Sequence, residues 1–341
     1  MMLGPVMIDL EQASLSEEER EIIKHPLVGG LIYFSRNFEC REQITELSKE
    51  IKSLRPNLLV CVDHEGGRVQ RFRDEFTHIP ACGKLGQLNI NNPAEARVIS
   101  REMGWLMAIE LLSCHIDFSF APVLDLDFGN SEVIGDRAFD ADPEHVFALA
   151  FEFMQGMKEA GMSNVGKHFP GHGFVVADSH LDLPVDKRSF KELTSSDIVP
   201  FLRLIENNSL DAVMPAHVIY DQVDEMPAGF SEKWIKQILQ QQMNFNGIVF
   251  SDDLNMAAAH VAGTFSQRAD VAMRAGCDMV LVCNNRAGAI EVLDQFNWNI
   301  TPESSFKLEK MLGQQAPTYS SLLKQQRWSN AITLVDQLNA A

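Results

Sequence analysis

The stretch KHFPGHGFVVADSH, residues 167 to 180, contains side chains that could move protons. Three histidines, a lysine and an aspartate lie within it. Asp178 and His180 are two positions apart, so in an extended segment both side chains leave the same side of the chain. A carboxylate that orients an imidazole makes a proton donor that works near neutral pH. Acid–base chemistry at His180 with Asp178 as its partner is therefore one interpretation, and an exposed polar turn is the other.

The same stretch has a second possible use as a metal site. His168 and His172 are four positions apart, a spacing that suits two ligands on one face of a helix. Pro170, Gly171 and Gly173 disfavour a helix there, and the chain contains no HExxH motif. We therefore predict no metal and no cofactor, with a metal-dependent hydrolase kept as an alternative. A phosphate site is weaker still, since no helix clearly begins at this loop.

The segment SDDLNM, residues 251 to 256, places two carboxylates at the end of an apolar run. Consecutive residues of a strand point to opposite sides, so we expect only one of them to face a site directly. Asp253 precedes an apparently helical segment and is expected to cap it, which leaves Asp252 as the candidate nucleophile. A nucleophilic carboxylate and a separate proton donor are what a retaining glycosidase needs.

Eight short apolar runs, each followed by a longer amphipathic segment, are the elements that must position these residues. The runs are 6–10, 29–34, 58–63, 116–125, 164–169, 211–218, 247–252 and 278–283. The clearest helical patterns are 42–54, 95–112, 144–161 and 231–243. Continuous apolar strands suit a parallel sheet covered on both faces. The alternation predicts an α/β fold, a (β/α)8 TIM barrel, over an open doubly wound sheet, because no GxGxxG follows the first strand.

Six of the predicted strands end in polar residues, and in a barrel the carboxyl ends of all strands open on one face. The polar ends are Asp9 and Glu11, Asp63 and Glu65, Asp125 and Asp127, Lys167 and His168, His217, and Asp252 and Asp253. Charged groups at such a rim can hold sugar hydroxyls through two-point contacts. The candidates for that role are Asp63, Arg71, Arg137, Lys167 and His168. For Arg71 a surface salt bridge is an equal alternative.

The composition limits the partners that the protein can have. The chain has 29 basic and 47 acidic residues and a net charge of −18, which disfavours nucleic acid. We see no signal peptide and no apolar stretch of membrane-spanning length, and six scattered cysteines indicate a reducing compartment. We therefore expect a cytoplasmic protein, more often a monomer than an oligomer, with a small-molecule substrate. A single domain is predicted over 1–341, with the barrel in about 1–300 and two outer helices in about 301–341.

Three separated motifs occur together in one order: DHEGGRVQRF, then KHFPGHGxxxxDSH, then SDDLNM. In this combination the chain resembles glycoside hydrolase family 3 over at least residues 6 to 285. The DSH loop is similar to that of the β-N-acetylhexosaminidase branch, whereas larger β-glucosidases of the family take their acid from a second domain. Family members often carry Ser where Ala138 follows the GDR motif here, a difference that leaves the catalytic set untouched.

The resemblance implies a retaining, two-step cleavage of β-linked N-acetylglucosamine. It assigns Asp252 as nucleophile, His180 as general acid/base with Asp178 as its partner, and Asp63, Arg71, Arg137, Lys167 and His168 as sugar-binding residues. His217 and Met256 lie in matching segments as possible pocket lining. The implied substrate is N-acetylglucosamine linked to anhydro-N-acetylmuramic acid, with or without peptide, in cytoplasmic recycling of cell-wall fragments. A phosphorylase of the same fold and a sugar-binding protein without catalysis stay open as alternatives.

Overall fold

Eight parallel strands form a barrel whose carboxyl ends open on one face. The computed structural model describes residues 1–131, 133–176 and 183–340. The described strands are β1 (Val6–Asp9), β2 (Val28–Tyr33), β3 (Leu59–Val62), β4 (His64–Gly66), β5 (Val69–Gln70), β6 (Phe118–Ser119), β7 (Val165–Phe169), β8 (Val185–Asp186), β9 (Ala212–Pro215), β10 (Ile219–Tyr220), β11 (Ile248–Asp253) and β12 (Met279–Val282). They include two small pairs outside the barrel, β4–β5 and β8–β10. The order β6-β3-β2-β1-β12-β11-β9-β7 makes up the barrel, which confirms the predicted (β/α)8 architecture.

Helices follow the barrel strands along the chain and cover them from outside. They are α1 (Glu17–Ile23), α2 (Arg41–Leu54), α3 (Gly83–Asn91), α4 (Pro93–Leu112), α5 (Pro143–Ala160), α6 (Phe190–Thr194), α7 (Ile198–Glu206), α8 (Phe265–Ala275), α9 (Arg286–Gln295), α10 (Pro302–Glu309), α11 (Tyr319–Leu322) and α12 (Gln326–Ala340). In the described part of the chain, none of the helices is both long and apolar enough to cross a membrane.

The barrel closes between β7 and the chain that follows β6. Leu124 N donates to Lys167 O at 2.7 Å, and Val165 N donates to Ala121 O at 2.8 Å. The sequence predicts one strand over 116–125, but the regular strand covers only Phe118–Ser119, with a single bridge at Val123. Pro122 has no N–H to give to a ladder, so the pairing beyond it is irregular. The run 116–125 therefore belongs to the barrel, as predicted, but most of it is not a regular strand.

The local signals of α5 behave as the sequence predicts. Asp142 caps the helix by accepting from Glu144 N at 2.8 Å, and Pro143 occupies the first turn. Gly161 ends the helix with a φ of 93°, a left-handed conformation that glycine adopts without strain. These signals work from sequence alone because each acts within one turn of the chain.

Two helical expectations need correction. The predicted helix over 231–243 is a π-helix, Lys233–Gln242. Its buried side chains, among them Trp234 and Ile238, suit a wider helix as well as an α-helix, so their spacing does not tell the two apart. The tail contains three described helices instead of two, because α11 is a single turn and too short to show a period.

The tail packs against the outside of the barrel. Trp328 Nε1 donates to Glu110 Oε1 at 3.1 Å, and Arg327 Nη2 lies 2.9 Å from Glu102 Oε1. Glu102 and Glu110 both belong to α4, so these contacts fix α12 along that helix. The barrel interior is filled by aromatic rings instead of forming a pore, with Phe118, Phe120 and Phe250 mutually packed at centroid distances of 5.3 to 5.5 Å.

Candidate active site

A cavity of about 220 Å³ opens at the carboxyl ends of the barrel strands. Phe120, at the end of the β6 segment, belongs to its lining and to the aromatic packing below it. The described polar lining consists of Asp63, Glu65, Arg71, Arg137, Lys167, His168, His172, Asp252, Asp253 and Asn284. All five predicted sugar-binding residues and the predicted nucleophile therefore lie around one cavity.

A network of buried and half-buried charges forms one wall of this cavity. Lys167 Nζ lies 2.9 Å from Asp63 Oδ1 and 2.6 Å from Glu65 Oε1. Arg137 reaches both oxygens of Glu65, with Nε and Nη2 each at 2.8 Å. Arg71 approaches the other side of the network, with Nη2 3.5 Å from Asp63 Oδ2. Each buried charge is thus offset by an opposite one, which is the condition for keeping them ionised.

The protonation of this wall follows from its charges. Burial alone would raise the pKa of Asp63, but the ammonium of Lys167 and the guanidinium of Arg71 outweigh it and hold that pKa below its usual range. Burial would also raise the pKa of Glu65, but Arg137 and Lys167 outweigh it and hold that pKa far below its usual range. Both carboxylates are therefore ionised at neutral pH, and together they hold the cations in fixed positions.

Glu65 is a residue to which the sequence alone assigns no role. It is buried, and it joins Lys167 to Arg137, two candidate sugar ligands that are 30 residues apart along the chain. A signal was present, since Glu65 stands two positions after Asp63 and side chains two apart leave the same side of an extended chain. The sequence could not show which cations it meets.

His168 and Asp125 form a buried pair beside the network. His168 Nδ1 lies 2.7 Å from Asp125 Oδ2, and Asp125 is completely buried. The same carboxylate accepts backbone N–H groups from His168 and from His172. Burial raises the pKa of Asp125, but the two histidines lower it more, so the group is ionised.

Asp252 and Asp253 both line the cavity, which corrects the expectation that only one of them could. The pairing of β11 with β12 shifts between Phe250 and Asp253: Phe250 pairs with Met279, whereas Asp253 pairs with Leu281. Three steps on one strand oppose two on the other, and this bulge breaks the alternation of the side chains. Since a bulge depends on the neighbouring strand, the sequence of β11 does not show it.

The carboxylate of Asp253 holds the end of β12 instead of capping a helix. Its Oδ1 accepts from Asn255 N and from Cys283 N, each at 3.0 Å. Burial raises the pKa of Asp253 to about 7, and the nearby carboxylates of Asp252 and Asp9 contribute in the same direction. Beside Asp252, therefore, stands a carboxyl group that takes up a proton near neutral pH.

The remaining predicted residues separate into three groups. Met256 lines the cavity. His217 is fully buried, stacks on Phe230 at 4.9 Å between centroids, and lies outside the described lining. Asp178 and His180 belong to 177–182, which are outside the described residues.

The donors that the metal alternative needs do not come together in the described residues. Within 1–131, 133–176 and 183–340 there is no group of three His, Cys, Asp or Glu side chains that could hold a metal ion. His64, the middle residue of the DHE motif, packs between Phe72 and Phe76 at centroid distances of 6.0 and 5.9 Å. Burial lowers the pKa of His64 to about 3, so it is a neutral packing residue.

The family model for the glycosyl hydrolase family 3 N-terminal domain matches residues 5–305. The chain therefore belongs to glycosyl hydrolase family 3, as its motifs predict, and it is a glycoside hydrolase of the β-hexosaminidase class. A β-hexosaminidase from Methylobacillus flagellatus is 51% identical over 93% of this chain and 91% of its own length. One from Thioalkalivibrio sulfidiphilus is 50% identical over 99% of this chain and 97% of its own.

The fold is also that of a solved relative. The crystal structure of NagZ from Neisseria gonorrhoeae in complex with N-trifluoroacetyl-D-glucosamine has a TM-score of 0.93 and 44% sequence identity to this chain. The match covers 99% of this chain and 98% of that one. The similarity therefore includes the tail helices as well as the barrel.

Proposed function

We propose that this protein is a retaining exo-β-N-acetylglucosaminidase that removes terminal β-linked N-acetylglucosamine. The observation that carries the proposal is the arrangement of Asp252 in one cavity with the charged wall of Asp63, Lys167, Glu65 and Arg137. The β-hexosaminidase names of its relatives and the glucosamine derivative bound by the Neisseria protein support the same sugar.

The wall suits the ring of a sugar because it offers charged donors and acceptors in fixed places. Arg137, Arg71 and Lys167 donate, and Asp63 accepts, so neighbouring hydroxyls can each meet a complementary group. The cations are held by Glu65 and Asp63 before any substrate arrives, so little ordering remains to oppose binding. Asp63, Arg71, Arg137, Lys167 and His168 are the sugar-binding residues of the proposal.

In the proposed first step, a carboxylate oxygen of Asp252 attacks the anomeric carbon as the bond to the leaving oxygen breaks. His180 gives its proton to that oxygen, with Asp178 orienting the imidazole, so the leaving group departs as a neutral alcohol. In the second step His180 takes a proton from water, the water oxygen bonds to the anomeric carbon, and Asp252 leaves. Two inversions retain the β configuration. No step needs a metal or an organic cofactor.

The proposed natural substrate is N-acetylglucosamine linked to anhydro-N-acetylmuramic acid, with or without peptide. The proposed role is recycling of cell-wall fragments in the cytoplasm, by a protein that acts as a monomer on a small-molecule substrate. The resemblance of the motifs to the hexosaminidase branch supports the proposed substrate and its recycling.

The proposal is tested by release of p-nitrophenol from its β-N-acetylglucosaminide, with wild type, Asp252→Ala and His180→Ala in parallel. Turnover by wild type, lost in Asp252→Ala and strongly reduced in His180→Ala, is the expected result. A mass spectrum of wild type quenched during turnover of a slow fluorinated substrate should show one added sugar on the peptide that contains Asp252. Binding of sugar by wild type without any turnover would overturn the proposal.

Phosphate distinguishes hydrolysis from phosphorolysis. We expect N-acetylglucosamine as the product both with and without millimolar phosphate. Formation of sugar 1-phosphate in the presence of phosphate would show that the protein is a phosphorylase of the same fold.

A further inference from the structure

Asp125 has no part in the proposed chemistry, yet it lies directly behind a sugar-binding residue. It is fully buried just after β6, and its carboxylate receives three N–H groups. Two come from the backbone: His168 N at 3.2 Å and His172 N at 2.6 Å from Oδ1. The third comes from the ring, with His168 Nδ1 at 2.7 Å from Oδ2.

These contacts decide which ring nitrogen of His168 carries the hydrogen. An ionised carboxylate only accepts hydrogen bonds, so the nitrogen that faces it must donate. Asp125 accepts three N–H groups, and such hydrogen bonds stabilise the ionised form of a buried carboxylate. In the arrangement that satisfies all three contacts, His168 has its hydrogen on Nδ1.

The other ring nitrogen is then the polar atom that His168 offers to the substrate. His168 lines the cavity. Among residues 1–131, 133–176 and 183–340, none makes a hydrogen bond with its Nε2, whereas Nδ1 is held by Asp125. A neutral imidazole with hydrogen on Nδ1 has a lone pair on Nε2 and accepts a hydrogen bond there.

We propose that Asp125 is a positioning residue that fixes the hydrogen of His168 on Nδ1, so that Nε2 accepts a hydrogen bond from one hydroxyl of the bound sugar. The inference rests on the proposed function, because it needs a sugar in the cavity. It adds a specificity to that function: one hydroxyl must be a donor, and a group that only accepts is rejected at that position.

The test uses p-nitrophenyl β-N-acetylglucosaminides in which the 3-, 4- or 6-hydroxyl is replaced, one at a time, by fluorine, which cannot donate. For wild type we expect one of the three to lose at least ~10-fold more kcat/KM than the other two, because a buried acceptor is left unpaired. In Asp125→Asn the side-chain amide donates to Nδ1, which moves the hydrogen to Nε2. That variant should lose the extra penalty at the same position.

The comparison between the two enzymes removes the inductive effect of fluorine, which is the same in both. Asp117→Asn is the matched control, because Asp117 is also a buried carboxylate that accepts backbone N–H groups, from Val60 at 2.7 Å and Gly313 at 3.1 Å. It stands before β6, at the opposite end of the barrel from the cavity. It should lower stability and keep the wild-type order of the three fluorinated substrates.

Nitrogen NMR of the histidine side chains tests the same point without relying on the folding of Asp125→Asn. The signal of His168, assigned by its loss in His168→Gln, should show a protonated Nδ1 and an unprotonated Nε2. A protonated Nε2 overturns the inference, and so does an Asp125→Asn enzyme that keeps the wild-type order. A wild type that is inactive on the parent substrate would instead overturn the proposed function.

Discussion

Glu65 receives the guanidinium of Arg137 through both carboxylate oxygens, with two N···O distances of 2.8 Å. Lys167 reaches the same carboxylate at 2.6 Å. One buried anion therefore sets the positions of two candidate sugar ligands that come from different parts of the chain. Residues of this kind contribute to substrate binding without touching the substrate, because they fix the residues that do.

Glu65→Gln should raise KM and destabilise the protein. The amide keeps the shape of the side chain and removes the charge, which leaves two buried cations without their shared partner. We expect a loss of about 3 kcal/mol in the free energy of unfolding, measured by urea denaturation. KM for the β-N-acetylglucosaminide should rise at least ~10-fold, since the cations lose their fixed positions.

The control for this variant is Glu21→Gln. Glu21 pairs with Lys24 at 2.7 Å on the surface of α1, where both side chains are exposed, so its loss should leave stability and KM unchanged. Equal effects of the two substitutions would show that the buried network does not position the substrate ligands.

Asp252→Ala should reduce kcat by roughly 10⁴-fold while sugar binding persists, because the proposed nucleophile is removed and the charged wall stays intact. Steady-state kinetics give the first quantity and calorimetric titration with N-acetylglucosamine gives the second. Asp270→Ala is the control, since Asp270 pairs with Arg274 four positions further along α8 and its loss should not affect kcat. More than a tenth of wild-type kcat in Asp252→Ala would be incompatible with the nucleophile assignment.

Asp253 should make the protein less stable as the pH rises towards neutrality. Burial raises its pKa in the fold to about 7, above its unfolded value, so between those two values the folded state holds more protons. Its contribution to stability is therefore full below the unfolded pKa and is lost as the pH rises through about 7. Asp253→Asn cannot ionise, so its free energy of unfolding relative to wild type should increase between pH 5 and pH 8.

Glu159→Gln provides the comparison. Arg327 and Arg101 outweigh burial and hold the pKa of Glu159 below its usual value, so wild type and this variant should differ by a nearly constant amount from pH 5 to pH 8. Denaturant titrations at several pH values give both differences. A constant difference for Asp253→Asn as well would mean that Asp253 is ionised throughout that range.

Prolonged treatment with a chelator should leave kcat and KM unchanged. The proposed steps use only the side chains of Asp252 and His180, and the described residues contain no cluster that could hold a metal ion. Assays after dialysis against EDTA, with and without added zinc or magnesium, measure this. Activity that is lost on chelation and restored by one of the ions would bring back the metal-dependent alternative.

Much of the architecture could be predicted from the sequence, because its signals act over short distances. The apolar runs located all eight barrel strands, and the cap at Asp142 and the stop at Gly161 marked the ends of α5. Irregular pairing after Pro122 and the π-helix at Lys233–Gln242 could not be predicted. Both depend on how a segment meets its neighbours, and hydrophobic periodicity reports only which side is buried.

For the site, the sequence by itself determined the chemical groups and the end of the barrel where they gather. Polar residues at the ends of parallel strands must meet, since those strands all point the same way. Only the tertiary structure decided how the groups pair. Glu65 joins Lys167 to Arg137, Asp125 takes the ring hydrogen of His168, and a bulge places Asp253 beside Asp252. Each depends on a distance between segments far apart in the chain, and such distances exist only once the barrel has closed.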